Sequence, residues 1–391
     1  MKKVKIGIIG IGNMGSSHCN TIINNQVPDM ELAAVADVKE AKRNWAKENL
    51  PESVAVFEDG DALIEAGLCD AVIVATPHYE HPRLVIKALE HGLHALSEKP
   101  AGVYTKQVRE MNEAAAKSNL VFAMMFNQRT NHVYRKMHEL VHSKTLGAIK
   151  RVNWIITDWY RTQAYYNSGE WRATWEGEGG GVLLNQCPHN LDLLQWICGM
   201  PSSVQAFCHN GKWHDIEVED DVTAYLEYPS GATGVFVTTT GDAPGTNRFE
   251  ITLEKGKLVC ESDKLTLYQL DVSEREYCFT ATEGFKAPEG QYVTLETDGK
   301  NPQHSGVLNA FAGKILYGTP LVAEGAEGIN GLTLSNAMHL SSWLGKPVKL
   351  PFDEDLFLTE LNKRRATSKL KKNVKEVTFD TGSTYGSQVK L

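Results

Sequence analysis

Three glycines near the start of the chain have the spacing of a phosphate-binding turn. Gly10, Gly12 and Gly15 form a G-x-G-x-x-G pattern that includes Asn13 and Met14 and directly follows an apolar run. Glycine permits a tight turn and lets the backbone come close to a pyrophosphate, while the helix that follows offers free N–H groups. The pattern predicts that these residues bind a dinucleotide. The alternative is a turn without a ligand.

An aspartate at the end of the next apolar run indicates which dinucleotide would bind. The run 32–36 ends at Asp37, where a carboxylate would accept hydrogen bonds from the adenosine ribose hydroxyls. An acidic side chain there repels a 2'-phosphate, so the sequence favours NAD(H) over NADP(H). Two alternatives stay open: Asp37 could simply cap the following helix, and Lys39 and Arg43 could permit the use of both cofactors.

A lysine after a later apolar run could perform acid–base chemistry. In Ser97-Glu98-Lys99-Pro100, Lys99 follows a predicted strand, at the edge where parallel sheets bind their ligands. An ammonium group beside a nicotinamide could lower the pKa of a substrate hydroxyl and orient it for hydride loss. The alternative is an ordinary surface lysine.

Seven aromatic residues lie close together near the middle of the chain. They are Trp154, Trp159, Tyr160, Tyr165, Tyr166, Trp171 and Trp175. This density suggests that rings stack on the apolar faces of a sugar, with charged neighbours available for its hydroxyls. Those neighbours are Arg161, Arg172, Glu176 and Glu178. The alternative, strongest for Trp154, is packing against a helix or another subunit.

Other reactive residue types do not match a known site. His209, His214, Asp215 and Glu217 fall between predicted strands without the spacing of metal ligands, so no metal is expected. The seven cysteines are widely spaced and include no C-x-x-C pair, which argues against a disulfide framework or a zinc site. Cys187 has no nearby charge in sequence that favours a thiolate, and we expect a buried thiol.

The elements that must position these residues are most regular in the first third of the chain. Predicted strands cover 4–10, 32–37, 54–57, 71–75, 93–97 and 121–125. Predicted helices cover 14–24, 39–48, 60–66, 80–91 and 104–118. This alternation is typical of βαβ units and predicts a Rossmann domain over 1–125, with a doubly wound parallel sheet.

After about residue 130 the pattern changes to short strands with few helices. Predicted strands cover 149–160, 203–209, 221–228, 232–240, 247–253, 257–261 and 265–270. Predicted helices cover 131–142, 187–198, 305–316 and 325–342. The fold class is therefore α/β: the Rossmann domain is followed by an α+β domain with a large, mainly antiparallel sheet. We assign 126–365 to this second domain, for substrate binding and oligomerisation, and 366–391 to a C-terminal tail.

Composition and charge exclude several classes of protein. A chain of 391 residues with 42% hydrophobic and 23% charged residues fits two globular domains. A net charge of −8 without a block of Lys or Arg argues against a nucleic-acid partner. No stretch approaches the ~18 uninterrupted apolar residues that span a bilayer, and the N-terminus is better explained as a strand than as a signal peptide. We expect a cytoplasmic protein without a membrane partner.

Together, these features and further motifs resemble the Gfo/Idh/MocA family, the sugar and inositol oxidoreductases named after glucose-fructose oxidoreductase and inositol dehydrogenase. Besides the glycine-rich turn, the motifs are Ala75-Thr76-Pro77-His78 with His81, Glu98-Lys99-Pro100, and the run from Gly179 to Asp192 that contains three successive glycines and Pro188-His189. The resemblance covers nearly the whole chain. It is much more specific for the family than for a substrate.

The resemblance implies a role for each motif. Lys99 would touch both the nicotinamide ribose and the substrate, and His189 would meet the reacting hydroxyl as general base, or as acid in reduction. For His189 the alternative is a helix cap. The implied cofactor-binding residues are Gly10, Gly12, Asn13, Met14, Gly15, Asp37, Thr76, Pro77, His78, His81, Glu98, Lys99, Asn127 and Arg172. The implied substrate-binding residues are Lys99, Arg129, Tyr160, Trp171, Arg172, Asn185 and His189.

One position departs from the common family pattern. Four residues before His189 many members carry an aspartate, whereas this chain has Asn185. An amide can orient a hydroxyl but cannot share a proton with His189, so Lys99 and His189 must carry the acid–base work. Asp192, on the same predicted helix, could orient the imidazole or could only pack.

These observations predict an oxidoreductase. Hydride would pass between the nicotinamide and a secondary alcohol of a sugar, a glycoside or an inositol, with the C3 hydroxyl of a glycoside as one candidate. The alternatives are a redox glycosidase that releases no net NADH and a non-catalytic NAD-binding sensor, although the presence of Lys99 and His189 argues against a sensor. Since one face of the second sheet is left uncovered by helices, we expect a homodimer or homotetramer.

Overall fold

The first third of the chain forms a parallel sheet with helices on both faces. The computed structural model describes residues 2–371 and 374. Strands β1–β6 cover Val4–Ile9, Met30–Ala36, Ala55–Phe57, Ala71–Val74, His94–Ser97 and Phe122–Met124. Helices α1–α5 cover Asn13–Ile23, Glu40–Asn49, Gly60–Glu65, Glu80–Glu90 and Thr105–Lys117. Their ends lie within two residues of the predicted ones.

The strand order in this sheet is β3-β2-β1-β4-β5-β6, which is the Rossmann order. Because all six strands are parallel, the turns after β1, β4 and β5 meet at one edge of the sheet. Strand β4 is buried along its whole length, as expected when helices cover both faces. The predicted doubly wound domain is confirmed.

A second, larger sheet follows. Strands β7–β15 cover Ile149–Ile156, Ser203–Asn210, Glu219–Glu227, Thr233–Thr239, Asn247–Leu253, Gly256–Glu261, Lys264–Leu270, Gly290–Val293 and Val348–Lys349. Within the described residues the order is β14-β13-β12-β11-β7-β10-β9-β8-β15. Only the pair β7 and β10 is parallel there, so the prediction of a mainly antiparallel sheet is confirmed. The predicted strand 149–160 ends early, at Ile156, and β14 and β15 were not predicted.

Helices cover one face of the second sheet. Helices α6–α12 cover His132–His142, Gln163–Tyr166, Pro188–Cys198, Glu274–Thr280, Gln303–Tyr317, Gly328–Leu344 and Glu354–Arg365. Helix α11 packs against β8 and α8, and α6 packs against α8. Trp154 lies fully buried beneath them and stacks on Phe249 with ring centres 4.1 Å apart. The short helices α7 and α9 and the terminal helix α12 were not predicted.

Helix α10 belongs spatially to the first sheet, although it comes late in the chain. Its residues Val307, Leu308 and Phe311 share a buried core with Ile6 and Ile8 of β1. The Rossmann half is therefore completed by a helix from the region assigned by sequence to the second domain. Of the predicted tail 366–391, residues 372–373 and 375–391 lie outside the described residues. No helix in the described part combines the length and apolar character needed to cross a membrane.

Candidate active site

The glycine-rich turn leaves an open cradle at the start of α1. Gly10 has φ of +94°, and a Cβ there would lie 2.6 Å from the carbonyl oxygen of Ala75. A Cβ on Gly15 would lie 1.8 Å from the Gly10 carbonyl oxygen, so neither position accepts a side chain. Gly12 differs, because nothing lies within 4 Å of a Cβ placed there. The turn thus has the close packing and the open space above a helix N-terminus that a pyrophosphate requires.

Asp37 lies beside this turn at the end of β2. One carboxylate oxygen accepts a hydrogen bond from the Ile11 N–H at 2.7 Å, and the other accepts from the Lys39 N–H at 2.9 Å. The Arg43 guanidinium donates to the carbonyl oxygens of Asp37 and Val38, both at 2.9 Å. The carboxylate is therefore held at the edge of the turn, where the ribose of a dinucleotide would lie, and it also helps to fix the start of α2.

The loops after β4 and β5 are joined by His81. Its ring nitrogens lie 2.7 Å from the carbonyl oxygens of Thr76 and Pro100. The Thr76 hydroxyl is buried without a hydrogen-bond partner among the described residues. Burial is the largest cause that holds the pKa of His78 well below its usual value, followed by the charges of His81 and Lys99. These loops form the wall expected to face the nicotinamide, and the unpartnered hydroxyl fits a polar ligand there.

A buried contact between Glu98 and His18 lies under the second loop. Glu98 accepts a hydrogen bond from His18 of α1 at 2.7 Å, and both side chains are almost fully buried. Burial alone would raise the pKa of Glu98, but the bond to His18 and the charges of His18, His304 and Lys99 lower it to about 2. Glu98 therefore stays ionised and ties helix α1 to the loop that carries Lys99.

Lys99 follows β5, and its charge acts on His189 in the first turn of α8. The Lys99 ammonium donates to the backbone carbonyl oxygen of Asn185 at 2.9 Å. Burial lowers the pKa of Lys99, while the charges of Glu98 and Glu178 oppose that shift. Burial and then the Lys99 charge hold the pKa of His189 well below its ordinary value. The imidazole is therefore neutral near pH 7, the state that a general base needs.

A partly exposed group of side chains, here called the rim, is centred on Tyr165 and includes Trp171, Arg172 and Asn185. The Tyr165 hydroxyl accepts a hydrogen bond from Arg172 at 2.8 Å and donates to the side-chain oxygen of Asn185 at 3.3 Å. The Arg172 guanidinium also lies over the rings of Tyr165 and Trp171, at 4.6 and 4.7 Å from their centres. The Asn185 amide in turn donates to the carboxylate of Glu178. An aromatic ring, a cation and an amide are thus presented together.

The structure separates two predicted residues from this group. The Arg129 guanidinium binds Asp192 through two hydrogen bonds of 2.8 and 2.7 Å, and it binds Glu327 at 2.8 Å. Arg129 and Asp192 are both almost fully buried. This ion pair occupies the guanidinium, so the geometry gives no support for substrate binding by Arg129. Asp192 likewise pairs with Arg129 rather than with the His189 ring, which favours its packing role.

The seven aromatics divide into core and rim. Trp154, Trp159, Tyr166 and Trp175 are buried, which favours packing for these four. Tyr165 and Trp171 are half-buried in the rim, and Tyr160 is 45% exposed. Trp171 also packs edge-to-face on His78, with ring centres 5.8 Å apart. The half-buried pair therefore connects the aromatic segment to the expected nicotinamide wall.

The histidines and acids considered as metal ligands do not come together. His209 contacts Asp221 at 3.0 Å, whereas His214 contacts Asp220 at 2.9 Å and the Arg161 carbonyl oxygen at 2.8 Å. No group of three or more metal-ligating side chains occurs in the part of the chain described by the structure. Cys187 is buried and contacts Thr238 at 3.0 Å, and burial raises the pKa of its thiol to about 12.

Sequence reasoning missed several residues that hold the site together. Glu219 is fully buried, and its carboxylate accepts the N–H groups of Gly181 and Leu183 at 2.9 to 3.0 Å. These hydrogen bonds shape the segment that leads to Asn185 and His189. Gln303 accepts a hydrogen bond from the Asn127 amide at 2.5 Å and so fixes a predicted cofactor residue. No local signal identified these residues, because their partners lie far away in sequence.

The fold and this site define an oxidoreductase with an NAD-binding Rossmann domain. Residues 4–126 match the family model described as an oxidoreductase family with an NAD-binding Rossmann fold. Residues 134–259 match the model of the GFO/IDH/MocA C-terminal domain. The two models together cover more than half of the chain. The chain therefore belongs to the Gfo/Idh/MocA family of oxidoreductases.

Named relatives agree with this assignment. Myo-inositol 2-dehydrogenase of Thermotoga maritima is 26% identical over 355 residues, which are 89% of this chain and 98% of that protein. D-glucoside 3-dehydrogenase of Escherichia coli K12 is 27% identical over 247 residues, which are 58% of this chain and 68% of that protein. The WlbA dehydrogenase of Chromobacterium violaceum, solved with NADH and UDP-GlcNAcA, superposes with a TM-score of 0.76. It is 26% identical, and the match covers 90% of this chain and 97% of that chain.

Proposed function

We propose that the protein catalyses the NAD(H)-dependent interconversion of a secondary alcohol and a ketone on a sugar, a glycoside or an inositol. The observation that carries this proposal is the meeting of Lys99 with the Asn185 carbonyl beside a neutral, buried His189. That group lies where the turns after β4 and β5 of the Rossmann sheet meet the segment before α8. The named sugar and inositol dehydrogenases among its relatives support the substrate class.

The residues present fit an NAD cofactor. Gly12 leaves open space at the N-terminus of α1, the Asp37 carboxylate lies beside the turn, and the buried Thr76 hydroxyl lacks a partner among the described residues. Bound NAD+ would supply the two-electron acceptor at its nicotinamide ring. Gly10, Gly12, Asn13, Met14 and Gly15 would hold its phosphates.

The acid–base work falls to two side chains. One N–H of the Lys99 ammonium is used by the Asn185 carbonyl, and the others are available to polarise a substrate hydroxyl oxygen. The neutral His189 imidazole takes the hydroxyl proton during oxidation and returns it during reduction. Asn185 orients the substrate through its amide but takes no proton.

Substrate recognition would come from the rim. Tyr165 and Trp171 offer ring faces, and Arg172 offers N–H donors to hydroxyl groups. Tyr160 is 45% exposed and would offer a further ring to the substrate. The C3 hydroxyl of a glycoside is one candidate for the reacting position, supported by the relative that is named a D-glucoside 3-dehydrogenase.

We also propose that the protein works in the cytosol as a homodimer or homotetramer. All seven cysteines are free thiols, which is typical of a reducing compartment. The face of the second sheet opposite its helices exposes Ile155, Phe207 and Tyr225, at 40%, 60% and 42%. An apolar sheet face of this kind commonly pairs with another subunit. Sedimentation velocity would measure the assembly, and a monomer would contradict it.

A panel of sugars, glycosides and inositols, each incubated with NAD+ and separately with NADP+, tests the proposed reaction. We expect NADH absorbance to appear with at least one secondary alcohol and to exceed the NADPH signal. A nitrophenyl glycoside in the panel distinguishes the redox glycosidase alternative. Release of nitrophenol without any change in NADH absorbance would overturn the dehydrogenase proposal.

A further inference from the structure

Glu178 brings a carboxylate to a site whose expected aspartate is replaced by Asn185. It is 2% exposed and lies directly before the three glycines that lead to α8. Its backbone is fixed, because its N–H donates to the Thr174 carbonyl at 2.9 Å and its own carbonyl oxygen lies 3.2 Å from Nδ1 of His78. The side chain therefore has a defined place between the Rossmann loops and the second domain.

The Glu178 carboxylate uses its two oxygens differently. One oxygen accepts the N–H of Ala173 at 2.5 Å. The other accepts the side-chain amide of Asn185. Because a carboxylate only accepts hydrogen bonds, this contact orients the Asn185 NH₂ toward Glu178 and leaves the amide oxygen facing the Tyr165 hydroxyl. Glu178 thus determines which end of the amide is offered to a substrate.

The charge of Glu178 also acts on the cations around the cleft. Burial raises the pKa of Glu178, and the Arg172 charge opposes that rise. Burial lowers the pKa of Lys99, and the charges of Glu98 and Glu178 oppose that lowering. Lys99 also has its own backbone partner, the carbonyl oxygen of Asn185. The same carboxylate also acts on Lys371 near the end of the described chain. Glu178 therefore acts on several of the cations around the reacting centre, and on Lys99 it acts together with Glu98.

We propose that Glu178 is a positioning residue that supplies the carboxylate missing at position 185. It fixes the Asn185 amide through the hydrogen bond to its carboxylate, so positions 178 and 185 together need one carboxylate, carried by either of them. This inference rests on the proposed dehydrogenase function. It assigns no proton transfer to Glu178.

An exchange of the two side chains tests the proposal. The forms compared are the natural protein, Glu178→Gln, Asn185→Asp and the double variant. Glu178→Gln should lower kcat about tenfold and shift the Lys99 limb of the kcat pH profile by about one unit toward lower pH. Asn185→Asp places a second, half-buried carboxylate in contact with the buried Glu178, so both kcat and the melting temperature should fall. The double variant restores one carboxylate and should recover most of both losses.

The pH profile must be interpreted with all groups that act on Lys99. These are Glu98, Glu178, Arg172 and Arg161, together with the histidines that feel its charge, His78, His81, His189 and His304. Glu170→Gln is the matched control, because Glu170 lies on the same segment and is exposed. It should leave the pH profile unchanged.

The two readouts separate the two proposals. Melting temperatures can be measured without substrate. If the double variant recovers its stability but no form shows turnover, the dehydrogenase function is overturned and the shared role of positions 178 and 185 is retained. The role of Glu178 would be overturned if the natural enzyme turns over but Glu178→Gln leaves kcat and its pH profile unchanged, and if the melting-temperature losses of the two single variants simply add in the double variant.

Discussion

The ammonium group of Lys99 donates a 2.9 Å hydrogen bond to the backbone carbonyl oxygen of Asn185, 86 residues further along the chain. The bond connects the loop after β5 with the segment before α8, and so it links the Rossmann sheet to the second domain at the site itself. A carbonyl oxygen cannot take the proton. The bond therefore fixes the position of the lysine nitrogen, and the ammonium group keeps its protons.

Replacing Lys99 with methionine should lower kcat by about 10²–10⁴-fold, the range for loss of a general acid–base group. The affinity for NADH should change much less, since the glycine-rich turn and Asp37 are untouched. Stopped-flow reduction and NADH fluorescence titration measure the two effects. Lys106→Met is the control, because Lys106 is exposed and pairs with Asp355 on the surface. Unchanged turnover in Lys99→Met would instead favour an NAD-binding sensor.

Two alanine substitutions in the glycine-rich turn should impair different properties, one the stability of the fold and the other the binding of NADH. Gly15→Ala places a Cβ 1.8 Å from the Gly10 carbonyl oxygen, so it should destabilise the fold by about 1–3 kcal/mol or more. Gly12→Ala meets no atom within 4 Å, so the melting temperature without cofactor should hardly change. The new methyl group would instead fill the cradle and weaken NADH binding about tenfold or more, a loss of about 1.4 kcal/mol. Calorimetry with and without NADH measures both quantities. Equal NADH affinity in Gly12→Ala would contradict the phosphate cradle.

The sequence carries strong signals for residues whose role depends on local geometry. Gly10, Gly12 and Gly15 show their turn through spacing alone, and Asp37 and Lys99 could be placed because each follows a buried parallel strand. The parallel sheet was predictable for the same reason, since its strands are continuous apolar runs. Strand β15 has only two residues, and β14, Gly290–Val293, begins with a glycine and a glutamine, so neither contains the continuous apolar run that identified the parallel strands.

What the sequence could not predict depends on distant partners. Arg129 appears as a free cation in sequence, and only folding brings it to Asp192, 63 residues away. Helix α10 has the pattern of any apolar helix, and nothing local indicates that it completes the Rossmann core. Glu219 resembles other strand acids until its backbone partners at Gly181 and Leu183 are known. Such contacts depend on tertiary packing.

Arg129→Met should destabilise the protein by about 3–5 kcal/mol, because it leaves the buried Asp192 carboxylate without its partner. Replacing both residues, with Arg129→Met and Asp192→Leu, should recover most of that loss. Urea unfolding measures each form. Arg83→Met is the control, since Arg83 pairs with Asp61 and Glu80 on the surface and should change stability by about 0–1 kcal/mol. Lost turnover without lost stability in Arg129→Met would instead support contact with substrate.

The stability of the fold should fall as the pH drops below about 6.5, partly because of His304. Burial is the main cause that lowers the pKa of His304 from 6.5 to about 4, while Glu98 opposes and His18 and Lys99 add to the shift. Between these two pH values His304 binds a proton in the unfolded chain but not in the folded protein. Its contribution to the free energy of unfolding is therefore fully present above pH 6.5 and decreases toward pH 4. From pH 7 to pH 5 this one group should account for about 2 kcal/mol.

His304→Gln should remove that contribution and flatten the dependence of the unfolding free energy on pH. Urea titrations at pH 7, 6 and 5 without cofactor measure the slope, and they avoid the lower range where Glu98, with a pKa of about 2, begins to lose its charge. His91→Gln serves as the control, because His91 lies exposed at the end of α4. Its slope should match that of the natural protein. If the unfolding free energy of His304→Gln depended on pH as steeply as that of the natural protein, His304 would not be a source of the acid sensitivity.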